Sequence, residues 1–175
     1  MARSSSAAGS SGILSLRPLS QRIPTSPLCR HLLYTIVIVN RRELQTLADI
    51  RVREAQALFR ARQFSGAYYL AGYALECVFK ACIAKKFRRY EFPDKKVVND
   101  SWTHDLRKLA VVGRIDEARS QRASGDDIFQ GNWEIVTAWS EDSRYRTVDR
   151  ASCRAFLDAI MEEHHGLLPW IKQLW

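Results

Sequence analysis

The 175-residue chain is most informative first in what it lacks. Its run Leu32–Val39, LLYTIVIV, holds only eight residues, whereas a helix that spans a bilayer needs roughly 20. No small-residue cleavage site follows that run, which argues against a secretory signal. The four cysteines, Cys29, Cys77, Cys82 and Cys153, form no C-x-x-C pair and no other metal spacing, so neither a zinc site nor a disulfide framework is expected. Cys77 and Cys82 fall on different stripes of one helix and do not face each other. The plain reading is buried free thiols in a reducing cytoplasm. There is no glycine-rich phosphate loop, no G-x-S-x-G and no H-E-x-x-H, and so no cofactor or metal is called for. His164-His165 after Glu162-Glu163 reads as a solvated helix end. Proline and glycine are scarce beyond residue 30, and β-branched alternation is rare. The chain is therefore expected to be all-α.

Charge is missing in one place. Residues 1–39 hold four arginines (Arg3, Arg17, Arg22, Arg30) and no acid, which leaves 23 basic against 19 acidic residues in the remainder. Only +4 of the overall +8 thus belongs to the part that folds. That surplus permits contact with a polyanion without demanding one. The Ser-, Arg- and Pro-rich residues 1–39 read as a disordered tail, either a transit-type peptide or upstream sequence ahead of a true start near Val39. Residues 40–175 read as one domain, and an apolar content of 46% is ample for its core.

What is present in abundance is helical periodicity. Phe64 to Lys86 carries one apolar stripe, Phe64, Tyr68, Ala71, Leu75, Val78 and Cys82, and a second beside it, Leu70, Ala74, Cys77, Ala81 and Ala84. Two adjacent stripes predict a helix buried on more than one side. A third stripe, Tyr69, Tyr73, Glu76 and Lys80, is amphipathic. Before it, Arg41–Ala61 predicts a helix with Leu44, Ala48, Ile50 or Arg51, Ala55, and Leu58 or Phe59 inward, joined to the central helix as a hairpin. Ser65 caps the central helix or sits in its first turn. Lys85, Lys86, Arg88 and Arg89 suit a helix C-terminus, and Pro93 ends the segment.

Thr103 is the expected N-cap of a short helix, His104–Val112, with Leu106, Leu109 and Ala110 inward and Gly113 at its end. Ile115–Arg122 predicts another short helix. The loop Ser124–Asp127 caps a Trp-bearing helix with Phe129, Trp133, Ile135, Val136 and Trp139. Ser140–Arg146 reads as a polar loop. A last helix runs from Thr147 or Val148 to His165, and Trp170, Ile171, Leu174 and Trp175 pack back on the core. The sum is an antiparallel up-and-down four-helix bundle with extra short helices.

Three residue sets could carry function. Glu76 and Lys80 have the favourable i,i+4 order and either solubilise one face or line a site or dimer seam. His104-Asp105 opens a helix: the histidine is a candidate general base, while the dipole alone accounts for the aspartate. Arg144-Tyr145-Arg146 could hold phosphates and stack a base, or simply anchor a loop.

The run Gly66–Cys82, GAYYLAGYALECVFKAC, resembles the second helix of the HEPN domain (higher eukaryotes and prokaryotes nucleotide-binding). Thr103-His104-Asp105-Leu106 and Trp139-Ser140 with Ser143-Arg144-Tyr145 continue the resemblance in order, over about residues 40–165. It implies a small antiparallel bundle that pairs with itself, often encoded beside a nucleotidyltransferase in a toxin–antitoxin pair. Some members are metal-independent endoribonucleases, and others are RNA-binding or scaffold modules. The catalytic members' Arg-x4-6-His spacing occurs at none of the four histidines here. The resemblance therefore points to an RNA- or nucleotide-binding or partner-interaction module. The competing expectations are a ribonuclease using His104, Arg144 and Arg146, and a purely structural partner subunit. Tyr69, Tyr73, Glu76, Lys80, Asp105 and Tyr145 are the expected ligand or seam residues.

Overall fold

A computed structural model describes residues 39–88 and 91–175. The expectations for residues 1–38 lie outside the described residues. Among the described residues there are eight α-helices, one 3-10 turn and no strand, so this part of the chain is all-α. No helix among them is long and apolar enough to cross a membrane.

Helix α1 spans Arg41–Arg60 and α2 spans Phe64–Ala84. Asn40 caps α1, its side chain accepting from Glu43 N while the Glu43 carboxylate accepts from Asn40 N; this reciprocal box satisfies two otherwise orphaned amides. The link between the two helices is three residues long, and Arg62 takes φ 62° there, a left-handed geometry more natural to glycine. The two helices then pack along one another as a hairpin. Their contact is built from small residues, with Ala48, Ala55, Ala67 and Ala71 all buried. Ser65 lies in the first turn of α2, where its Oγ accepts from Val148 N at 2.9 Å and ties the approach to α7 onto α2.

Both expected apolar stripes of α2 face protein, and the burial extends to Ala67, Phe79 and Ile83. Phe79, fully buried, meets Trp133 edge-on at 6.2 Å. Burying such a ring contributes roughly 1.5–3 kcal/mol.

Helix α3, Lys95–Ser101, was not expected. It buries no residue, so it leaves no apolar periodicity, and Asp94 after Pro93 starts it by accepting from Lys96 N and Val97 N. Helix α4 is Leu106–Val112, shorter than predicted at its start. Its N-cap is Asp105, which accepts from Arg107 N and Lys108 N, and not Thr103. A carboxylate two residues nearer the apolar run is the better cap, and His104 is thereby left outside the helix. Helices α5, Asp116–Ala123, and α6, Asp127–Thr137, follow. Asp126 caps α6 as the loop reading required. In and just after α6, Phe129, Trp133, Val136 and Trp139 are buried, but Ile135 faces out.

Residues expected as a polar loop form a 3-10 turn, Glu141–Tyr145. Helix α7 covers Arg150–Met161, capped by Asp149, and ends four residues before His165. His165 is no solvated helix end: its Nδ1 lies 2.8 Å from both oxygens of Asp126, and Asn132 Nδ2 donates to its carbonyl at 2.9 Å. Helix α8, Leu167–Ile171, buries Leu167, Leu168 and Ile171, and Trp170 meets Phe129 at 5.0 Å. The C-terminal segment thus packs back as expected, held further by Lys85 Nζ on the Leu174 carbonyl and Lys172 on Asp49.

Candidate functional site

Glu76 is the single buried charged residue among the described residues, 2% exposed. A carboxylate at that depth must be paired and hydrogen-bonded. Lys80, one turn on, donates to Oε1 at 2.7 Å, and His104 Nδ1 lies 2.8 Å from Oε2. The Lys80 contact follows from helical spacing. The His104 contact follows from the position of the α4 cap: with Asp105 starting the helix, His104 stays in the connecting segment and reaches back to α2.

A carboxylate beside Nδ1 fixes that nitrogen as the donor. Nε2 then has no protein partner among the described residues. As a neutral ring, His104 offers Nε2 as an acceptor or base; protonated, it offers a second N–H. Glu141 Oε2 stands 3.9 Å from the same Nδ1. His104 is half-exposed and lines a cleft of about 530 Å³ with Trp102, Arg107, Trp139, Ser140 and Glu141.

The rest of the third stripe continues this face. The Tyr69 ring lies 6.2 Å from the Trp139 ring. Arg144 stands over the Tyr145 ring at 4.9 Å. The Tyr145 hydroxyl, and less strongly that of Tyr69, raises the Arg144 pKa above its ordinary value. Tyr145 itself is 78% exposed. On the α1 side, Arg51 places its guanidinium 6.0 Å over the Tyr73 ring and pairs with Glu54. Between Ile50 and Arg51, it is thus Arg51 that turns toward α2, and its Nε is buried without a partner. Burial pushes the Tyr73 phenol up, with the neighbouring Cys77 and Glu76 adding to the effect. The Cys77 thiol is pushed up to about 11, chiefly by burial.

The structure therefore brings Tyr69, Tyr73, Glu76, Lys80, His104, Arg144 and Tyr145 onto one side of α2. Asp105 lines the His104 cleft too, but its carboxylate is engaged as the α4 cap, with Lys108 Nζ 3.7 Å from it. One expected site residue stands apart. Arg146 does not join His104 in the first cleft: the 3-10 turn sends it into a separate cleft of about 220 Å³ beside Tyr68. Sequence reasoning missed Arg51, Trp102 and Arg107 as members of the face. For Arg51 the signal was its place in the Leu44–Ala48–Ala55 register. For Trp102 it was an indole set among polar neighbours. No cluster of three or more metal-ligating side chains occurs among the described residues. Comparison with protein-family models, curated proteins and solved structures finds no match to this chain.

Proposed function

We propose that this protein is a HEPN-type helical module that binds RNA or a nucleotide on the α2 face through Tyr69, Tyr73, Arg51, His104 and Arg144. The observation that carries the reading is the buried Glu76 carboxylate, held between Lys80 and His104 beneath a cleft edged by aromatic and guanidinium groups. Stacking platforms beside positive charge are what single-stranded nucleic acid requires. In this reading α1, α2, α6 and α7 make an antiparallel four-helix bundle, supported by the packing of α1 on α2, α2 on α7 and α6 on α7. The module works in the cytoplasm as a homodimer beside a nucleotidyltransferase antitoxin. Phe92 and Trp102, 97% and 83% exposed around α3, and Val111 on α4 supply apolar surface for a self-pairing seam. The test is binding of single-stranded RNA at low and moderate salt. Affinity that falls steeply with salt, and falls roughly tenfold in Arg144→Gln and in Arg51→Gln, is expected. No affinity even at low salt leaves a purely structural partner subunit.

A second reading is favoured by the His104–Glu76 contact: a metal-independent endoribonuclease. Nε2 would take the proton of a 2′-hydroxyl, the 2′-oxygen would bond to phosphorus, and the bond to the 5′-oxygen would break, that oxygen taking a proton from solvent to leave as a hydroxyl, with a guanidinium bearing the phosphorane charge. Arg146 lines the other cleft, so Arg144 is the guanidinium this reading takes. RNA cleavage that persists in chelator and is abolished by His104→Ala selects this reading over binding alone.

A further inference from the structure

The second cleft has a chemistry of its own. It lies between α2, the 3-10 turn and the first turn of α7, and Tyr68, Ser140, Ser143, Arg146 and Thr147 line it together with Asp149 and Ser152. Ser143 is 6% exposed, and its Oγ has no hydrogen-bond partner. A buried hydroxyl without a partner is costly, so something other than the protein is called on to satisfy it. Arg146 makes no ion pair among the described residues, although its charge is felt at the Tyr68 hydroxyl. The one acid in the wall is already spent: Asp149 accepts from Ser152 N at 2.8 Å and from Ser152 Oγ at 2.9 Å. What faces the cleft is therefore rich in hydroxyl donors, with Arg146 as its one cation, unpaired, while the Asp149 carboxylate is engaged with Ser152 at the start of α7. The hydroxyls could serve a neutral sugar as readily as an anion; the unpaired guanidinium is what favours an anion. An oxyanion with several lone pairs needs only donors.

We propose that this cleft is a phosphate-binding site, with Arg146 supplying the charge and the hydroxyls of Ser143, Ser140 and Tyr68 supplying hydrogen bonds to a phosphate monoester. The site adjoins the cleft around His104, with Ser140 in the wall of both, but neither His104 nor Arg144 lines it. It requires no base, so either proposal can fail alone.

Calorimetric titration of the full chain at low ionic strength tests it, with ribose 5-phosphate, inorganic phosphate and ribose as probes. Ribose 5-phosphate is expected to bind and ribose not to. Arg146→Gln should weaken binding roughly tenfold or more, the scale of a lost charge-assisted contact, and Ser143→Ala and Tyr68→Phe should each weaken it several-fold. Arg53→Gln, which removes the same charge from the exposed side of α1, should leave binding unchanged. Equal affinity for inorganic phosphate assigns the site to the free ion, and tighter binding of the sugar phosphate assigns it to the monoester; either result supports the site. Three results overturn it: no phosphate binding, ribose binding as well as its phosphate, or Arg53→Gln weakening binding as much as Arg146→Gln. Loss of RNA affinity in Arg144→Gln with phosphate binding intact would show that the two faces act separately.

Discussion

Trp139 lies flat against Gly72. A Cβ built on Gly72 would stand 2.2 Å from the indole Cε2 and 2.3 Å from its Nε1, distances no side chain tolerates. The glycine in the middle of α2 is thus a packing requirement, accepted despite the roughly 1 kcal/mol it costs a helix relative to alanine. It sets where the floor of the first cleft sits, because Trp139 also contacts Tyr69. Gly72→Ala is expected to push the indole outward and to destabilise the fold by about 1–3 kcal/mol, the usual scale of overpacking. Urea unfolding followed by tryptophan fluorescence measures both effects. Unchanged stability and emission would contradict this packing.

The second prediction concerns Glu76. With its carboxylate 3% exposed and two hydrogen-bond partners on it, Glu76→Ala leaves Lys80 and His104 facing an apolar void. Breaking a buried pair by removing one partner costs about 3–5 kcal/mol. The half-exposed His104 can turn to water, which places the expected loss near the lower end, about 3 kcal/mol. Lys80→Ala should cost more than His104→Ala, because Lys80 is the more buried of the two partners. Chemical denaturation of the three variants checks the order; a Glu76→Ala loss below about 1 kcal/mol would place the carboxylate in water rather than under the cleft.

Much of this was legible in advance because α2 is apolar over so much of its circumference. Its stripes place it inside the fold without knowledge of its neighbours, and they single out Tyr69, Tyr73, Glu76 and Lys80 as the face in question. What that face meets depends on contacts distant in sequence. Glu76 and His104 are 28 residues apart, and periodicity within one helix says nothing about a partner on a connecting segment. A two-residue error at a cap has large consequences: placing the cap at Thr103 puts His104 in a helical turn, whereas Asp105 as the cap frees it to reach Glu76. The same holds for Arg144 and Arg146, two apart in a polar run, which the 3-10 turn sends different ways, Arg144 to Tyr145 and Tyr69 and Arg146 into the second cleft. His165 was misjudged because α7 stops at Met161, and the turn that follows is held from outside itself by Asp126.

That turn gives the third prediction. Asp126 accepts from Phe129 N, meets His165 Nδ1, and pairs with Arg122 at 2.8 Å. Its carboxyl is held below the ordinary range, by the Phe129 amide first and then by His165 and Arg122. Glu162 is lowered in the same way by the amides of His165 and His164. A carboxylate depressed in the folded state adds stability above its unfolded pKa, about 4, and that stability is lost as pH falls through the folded value. The α6–α8 corner should therefore loosen below about pH 4, and Asp126→Asn should flatten the acid limb of the stability profile. Gly166→Ala attacks the same corner at neutral pH, since its Cβ would meet the Glu162 carbonyl at 2.2 Å. Amide exchange in 162–171, measured against pH, tests the prediction; equal protection at pH 3 and pH 7 would refute it.

The fourth prediction follows from the thiols. Cys77, Cys82 and Cys153 are buried and free, and burial is the first cause pushing each up to about 11. The thiolate is the reactive form, so at pH 8 all three should resist a thiol reagent while the fold is intact. The unfolded chain ionises near the ordinary value, about 8.5. As pH rises from there toward 11 the unfolded state gains and the folded state does not, so stability falls across that window. In a Cys29→Ser background, labelling at pH 8 should be slow and should accelerate in step with global unfolding in urea. Labelling of any of the three at a rate independent of urea would mean that its helix opens locally. For Cys77 that opening would expose the same turn of α2 that holds Glu76, and so would report directly on how firmly the first cleft is built.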